Sequence, residues 1–184
     1  MKRIFIAVKT PPESKLLRMM ASVKSSTDAE RIRWVDPSSL HITLVFLGDT
    51  EEKSIADISR ALSVSCLRFG SFEFSLLGTG VFKTWSDPHV VWIGINPAEK
   101  LQELNKIISE NLIKAGFCQE ERTFRPHLTI GRTKSVRDRE NLKNILGEYR
   151  DTQFQLVKVT EVILYESILR DTGPVYKPLG KFPL

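Results

Sequence analysis

The chain has 184 residues, 41% hydrophobic and 27% charged, a globular composition with enough length for a sizeable core. That mix excludes a largely disordered protein, and no apolar run approaches the roughly 20 residues of a membrane-crossing helix. The formal charge of +5 and the isoelectric point near 9.3 favour anionic partners without identifying one.

Lys2 to Val8 is β-branched and weakly alternating, and reads as a first strand. It breaks at Lys9 and is too short for a signal-peptide core, so a cytoplasmic, membrane-free chain is expected. A helix follows from Pro12 to about Ser25, with Leu16, Leu17, Met20 and Val23 on one stripe. Leu40 to Leu47 is a strand ended by Gly48-Asp49. Thr50 is a good N-cap for a helix running to about Val64. Ser71 to Leu77 is a strand, Gly78-Thr79-Gly80 a turn, and Val90 to Ile95 another strand. Pro97 to Ala115 is a helix closed by Gly116 at its C′ position. The rest reads as a strand from His127 to Arg132, a helix from Arg137 to about Leu146, strands near 152–159 and 162–167, and a short last strand near Val175–Leu179.

No linker divides the chain, so one domain over 1–184 is expected. A strand beginning His-x-Thr and followed by a helix occurs once in each half. Two α+β lobes facing across a cleft would be the economical arrangement. Cys66 and Cys118 have neither metal-ligand spacing nor a disulfide framework, and their apolar neighbours make them buried thiols.

The two repeats, His41-Ile42-Thr43-Leu44 and His127-Leu128-Thr129-Ile130, carry the chemistry. With 12 threonines in 184 residues and three histidines, two such hits arise by chance in about one sequence in a hundred. Alternation along a strand puts His and Thr on one face and the apolar residues on the other. Two such strands side by side aim four polar groups into one cleft. Opening a cyclic phosphodiester needs a base for water, an acid for the leaving ribose oxygen and donors for the phosphate oxygens. Histidine, titrating near neutrality, can serve as either acid or base, and threonine hydroxyls are short, stiff donors. The residues alone do not say which histidine takes which role. The 86-position separation of His41 and His127, with no HExxH pattern, argues against zinc. His89, in a loop after Ser86-Asp87-Pro88, reads as a surface histidine. No cofactor and no metal are expected.

The chain resembles the 2H phosphoesterase superfamily, defined by paired His-x-Thr motifs. Within it, it is similar to the bacterial and archaeal RNA 2′,3′-cyclic phosphodiesterases, historically called 2′-5′ RNA ligases. The likeness runs from Arg3-Ile4-Phe5-Ile6-Ala7-Val8 through Arg33-Trp34-Val35, both motifs and Val90-Val91-Trp92-Ile93-Gly94. It continues to Leu164-Tyr165-Glu166-Ser167, Gly173-Pro174-Val175-Tyr176 and Phe182-Pro183-Leu184. The resemblance implies a bilobal α+β fold and action on RNA ends, tRNA fragments among them, that carry a 2′,3′-cyclic phosphate, giving a 2′-phosphate. It also implies His41 as proton donor, His127 as proton acceptor, reversible 2′-5′ ligation, and Arg132 as a phosphate or nucleotide contact. Gly131 stands where relatives often carry Ala, a departure expected to change little.

Strict alternation puts Arg132 on the face opposite His127, so it reaches the cleft only if the strand twists or ends there. Arg125, Phe124 and Trp34 flank the motifs and are candidates to hold substrate, by charge or by stacking. Parity with Ile42 and Leu44 assigns Phe46 to the core. Arg122, Lys134, Arg137 and Arg139 read as a solvated basic region. A monomer is expected. Two other readings stay open: a phosphodiesterase for small cyclic nucleotides, and a non-catalytic module that clamps RNA ends.

Overall fold

The structure is a computed structural model that describes residues 1–117, 123–171 and 173–184; Cys118 and Arg122 therefore lie outside the described residues. In chain order the elements are β1 (Lys2–Lys9), α1 (Ser14–Ser26), β2 (Arg31–Trp34), β3 (His41–Thr50), α2 (Ile55–Cys66), β4 (Phe72–Thr84) and β5 (Asp87–Asn96). Then follow α3 (Glu99–Lys114), β6 (Leu128–Ser135), α4 (Arg139–Gly147), β7 (Gln153–Val159), β8 (Glu161–Arg170) and β9 (Gly173–Pro183).

The strands form two antiparallel sheets, one of order β3-β1-β8-β9 and one of order β2-β6-β5-β4-β7. The fold is α+β, as expected. The helices are shared out across the chain order: α2 and α3 pack on each other and on β8, β9 and β3, while α1 and α4 lie against β7 and β4. The lobes are thus not the two halves of the sequence. Strand β2 of the first half edges the second sheet, and β8 and β9 of the second half complete the first. One apolar core joins both, drawing Ile4, Ile6 and Ile42 from one sheet, Ile93 and Leu128 from the other, and Leu62, Leu104 and Leu146 from the helices. Burying such side chains is worth about 1.5–3 kcal/mol each. Cys66 is buried in this core, and burial pushes its thiol up to about 11.

Four elements depart from expectation. Thr50 ends β3 instead of capping a helix; a 3-10 turn, Glu52–Ser54, precedes α2. Strand β4 runs straight through Gly78-Thr79-Gly80, because Gly78 takes φ +71° as a bulge and Trp92 of β5 lies across Gly80, where a Cβ would meet its ring at 2.4 Å. Strand β9 is 11 residues long, paired along β8 from Gly173 to Pro183. Strand β2 was not foreseen, since four residues with two arginines show no apolar run. In α1, Met19 is buried with Leu16, Met20 and Val23, and Leu17 is exposed, off the i, i+3, i+4, i+7 stripe.

The detail that positions the site is a bulge in each histidine-bearing strand. Along β1, Ala7 pairs with Thr43 and Ile6 with Val45, so Leu44 is the extra residue. Along β5, Trp92 pairs with Thr129 and Val91 with Gly131, so Ile130 is the extra residue. Each bulge lies three positions after its histidine and reverses the alternation beyond it. The bulged carbonyls are bound from outside these ladders: the Asn105 amide of α3 donates to Leu44 O at 2.8 Å, and Val35 N–H donates to Ile130 O at 2.9 Å. Replacing Asn105 by Leu strands the Leu44 carbonyl, and urea unfolding is expected to report a loss of about 1–3 kcal/mol. An unchanged midpoint would refute the bracing role.

Candidate active site

The two histidines are held alike. His41 opens β3 opposite Lys9, and its Nδ1–H donates to Ser39 O at 2.7 Å. His127 immediately precedes β6, and its Nδ1–H donates to Arg125 O at 2.6 Å. In both, a carbonyl two residues back fixes the ring and the tautomer, and leaves Nε2 without a protein partner among the described residues. Neither Thr43 nor Thr129 spends its hydroxyl on a protein partner among the described residues, so both oxygens are free to donate. Strands β3 and β6 run against each other.

Aromatic rings fix the imidazoles further. His41 has Phe5 at 5.0 Å between centroids and Tyr176 edge-on at 4.9 Å, while His127 meets Phe82 edge-on at 4.6 Å. Phe5 and Tyr176 belong to a second apolar cluster, with Ala7, Ile163 and Tyr165, on the side of the first sheet away from the main core. Burial pushes the His41 imidazole below its ordinary value. The Ser39 carbonyl pulls the other way, and the charges of Arg132 and His127 push it down further. Burial likewise lowers His127, with the Arg125 carbonyl opposing and Arg132 adding to the fall. Arg132 therefore acts on both rings.

A cavity of about 540 Å³ opens beside His41 and Thr43. Arg3, Phe5, Trp34, Phe46, Arg132 and Tyr176 are among its walls; His127, Thr129, Phe124 and Arg125 are not. The bulges account for two of these residues. Past Leu44 the parity of β3 reverses, which removes Phe46 from the core face; it is 48% exposed, pairs with Phe5 and lies 5.1 Å under the Arg3 guanidinium. Past Ile130 the same reversal turns Arg132 towards the histidines. Alternation alone puts both on the wrong face.

The flanking candidates divide. Trp34 is not in a loop but on β2, in the cavity wall, lying against Gly131; a Cβ there would stand 3.0 Å from its ring. Phe124 packs on the core and does not reach the cavity. Arg125 is exposed and offers the site its carbonyl. Lys134 and Arg139 are exposed, and the backbone N–H of Arg137 donates to Glu30. His89 is exposed at the start of β5, 3.1 Å from Lys83 Nζ. Three or more His, Cys, Asp or Glu side chains able to hold a metal do not converge anywhere among the described residues. Arg3, Phe5, Tyr176 and Arg33 line the cavity without having been singled out as site residues. The available signal was the second face of β1, where Phe5 and Ala7 stay apolar opposite Ile4, Ile6 and Val8.

The model of the 2′-5′ RNA ligase superfamily matches residues 11–169. The chain belongs to that superfamily of 2H phosphoesterases. Relatives named RNA 2′,3′-cyclic phosphodiesterase include one from Methanothermobacter thermautotrophicus, 34% identical over 91% of this chain and 89% of that protein. Another, from Archaeoglobus fulgidus, is 34% identical over 98% and 99%. A solved protein of Thermus thermophilus superposes with a TM-score of 0.80 at 25% identity, covering 99% of this chain and 97% of that one. E. coli LigT complexed with 3′-AMP superposes with a TM-score of 0.77 at 24% identity over 100% and 98%, a likeness of fold. Among the described residues no helix is long and apolar enough to cross a membrane.

The depressed imidazoles make the candidate site testable without substrate. The folded state holds both rings neutral to lower pH than the unfolded chain, whose histidines titrate near 6.5. Below that value the unfolded chain binds more protons, so stability falls as pH drops through 6.5 towards the folded values. A His41→Gln/His127→Gln double variant is expected to lose less stability than the parent between pH 7 and 5 in urea titrations. Equal slopes would contradict the buried, neutral assignment.

Proposed function

We propose that the chain hydrolyses RNA 2′,3′-cyclic phosphate ends to 2′-phosphates with His41 and His127 as acid and base, and without a metal. The observation that carries the reading is the matched pair of imidazoles, each fixed through Nδ1 and each open at Nε2, beside two free threonine hydroxyls and Arg132. Superfamily membership and the names of relatives at 34% identity support the substrate class.

In this scheme neutral His127 Nε2 takes a proton from water as its oxygen attacks phosphorus. The P–O3′ bond breaks, and His41, entering the step as the imidazolium, delivers its Nε2 proton to the departing 3′ oxygen, leaving the phosphate on O2′. Thr43, Thr129 and Arg132 steady the charge on the non-bridging oxygens, in a partly dry site where such donors act strongly. The terminal nucleoside occupies the cavity beside His41, with Phe46, Trp34 and Tyr176 as stacking surfaces. An RNA end brings backbone phosphates to the basic walls in addition to its cyclic phosphate, which favours it over a mononucleotide 2′,3′-cyclic phosphate.

His41→Ala and His127→Ala are each expected to lower turnover by about 10²–10⁴-fold on an oligoribonucleotide ending in a 2′,3′-cyclic phosphate. Activity abolished by EDTA sinks the metal-free mechanism. A product carrying a 3′-phosphate sinks the assignment of the leaving oxygen. Because both free-enzyme imidazoles are lowered, kcat/KM is expected to peak below pH 6.5. A peak above that value would mean that the titrating groups are not these two.

A further inference from the structure

In-line displacement at phosphorus has two sides. The leaving 3′ oxygen stays attached to the nucleoside in the cavity beside His41, so the nucleophile enters from the His127 side. Water needs no further room there. An alcohol nucleophile does, because it brings its own chain.

The structure has such room. A second cavity, of about 590 Å³, lies where β4 runs beyond its pairing with β7 and past the end of α4. Its walls include Trp85, Trp92, Lys143 and Arg150. It joins the catalytic side through rings: Trp92 is the partner of Thr129 across the ladder, its ring lies 5.5 Å from Phe82, and Phe82 meets His127 at 4.6 Å. The chain's three tryptophans are divided between the two cavities, Trp34 in the first and Trp85 and Trp92 in the second.

Two properties of this cavity go beyond shape. Trp92 Nε1 is the one buried side-chain N or O atom without a hydrogen-bond partner among the described residues. A buried donor in that condition has lost its hydrogen bonds to water without replacement, and an acceptor on a ligand would restore one. Trp85, on the β4–β5 hairpin, is 38% exposed and offers an open aromatic face to the cavity. Exposed Lys143 and Arg150 add two cations to its walls. Aromatic platforms with flanking cations are the chemistry of single-stranded nucleic-acid binding. The volume also falls in the range of pockets for molecules of nucleoside size.

We infer that this second cavity binds the 5′-hydroxyl end of an RNA strand and presents it as an alternative nucleophile, an inference that rests on the reading under Proposed function. The 5′ oxygen attacks phosphorus and forms a P–O5′ bond as its proton passes to His127 Nε2. The P–O3′ bond breaks and His41 protonates O3′, leaving a 2′–5′ phosphodiester. No oxidant, reductant or nucleotide cofactor enters the balance. The site thereby sets how a cyclic end divides between water and RNA.

The test is a partition experiment. The chain is given an oligoribonucleotide with a 2′,3′-cyclic phosphate and a second oligoribonucleotide with a 5′-hydroxyl, and the ratio of 2′–5′-joined to 2′-phosphate product is read in one tube. Both products come from the same folded molecules, so a partly unfolded variant does not distort the ratio. Trp85→Ala and the double variant Lys143→Ala/Arg150→Ala are each expected to lower the ratio about tenfold, with Lys143→Arg retaining it. For the parent, raising salt lowers it too. Ratios within twofold of the parent in both variants overturn the inference. If the parent shows no turnover, the functional reading fails, and titration of the 5′-hydroxyl strand against tryptophan fluorescence decides the site alone. Binding weakened in the variants upholds it, and binding absent from the parent or equal in all three overturns it.

Discussion

Side chains along a strand alternate, so a histidine and the residue five places later belong on opposite faces of a sheet. The candidate site depends on breaking that rule twice, at the same distance from each histidine. The extra residues Leu44 and Ile130 keep the preceding His-x-Thr geometry intact and turn the later part of each strand about its axis. Phe46 and Arg132 are thereby delivered to the cavity beside His41 without any change in the apolar residues that anchor the strands. Bulges need their unpaired carbonyls satisfied, and the fold meets this with a side chain from α3 in one case and a backbone N–H after β2 in the other. The two lobes are therefore alike in device and unlike in means.

The histidines themselves are governed by competition between burial and hydrogen bonding. Each ring is drawn out of water far enough to disfavour its charge, and each is given a carbonyl that favours it. Arg132 stands between them electrostatically, discouraging a second positive charge nearby. A bound phosphate would reverse much of that influence, because an anion placed among three cationic groups favours protonated imidazole. Substrate arrival and protonation are linked in such a site by the charges alone.

Much of this was legible in the residues. The His-x-Thr repeats, most of the α1 stripe and the C′ glycine of α3 are local patterns, and local patterns survive into the fold. Two α+β lobes follow from them, and two antiparallel sheets with outer helices are what the family resemblance adds. The residues that line the cavity were less accessible, because their placement depends on parity and parity depends on a bulge. Nothing in Val45-Phe46 or Gly131-Arg132 marks an insertion in the ladder; that is decided by the partner strand. Strand β2 was hidden for a similar reason, since it is an edge strand whose arginines stay exposed, Arg33 at the cavity, and only Trp34 and Ile32 touch the core. Tyr176 was visible as part of a resemblance, but its place against His41 comes from a pairing between β8 and β9 that periodicity does not report.

The exchange of segments between the sheets has a kinetic side. Ile4 pairs with Glu166, and β1 lies between β3 and β8, so β1 waits for a strand made about 160 residues later. A chain released only to its midpoint would hold β1 and β3 as a lone hairpin with a bare flank, and β4 and β5 without β6 or β7. Neither is a self-sufficient unit. Closing such long loops before any reward from packing slows folding and leaves sticky edges open meanwhile. Nascent chains of this kind would depend on protection until the final hairpin locks both sheets together.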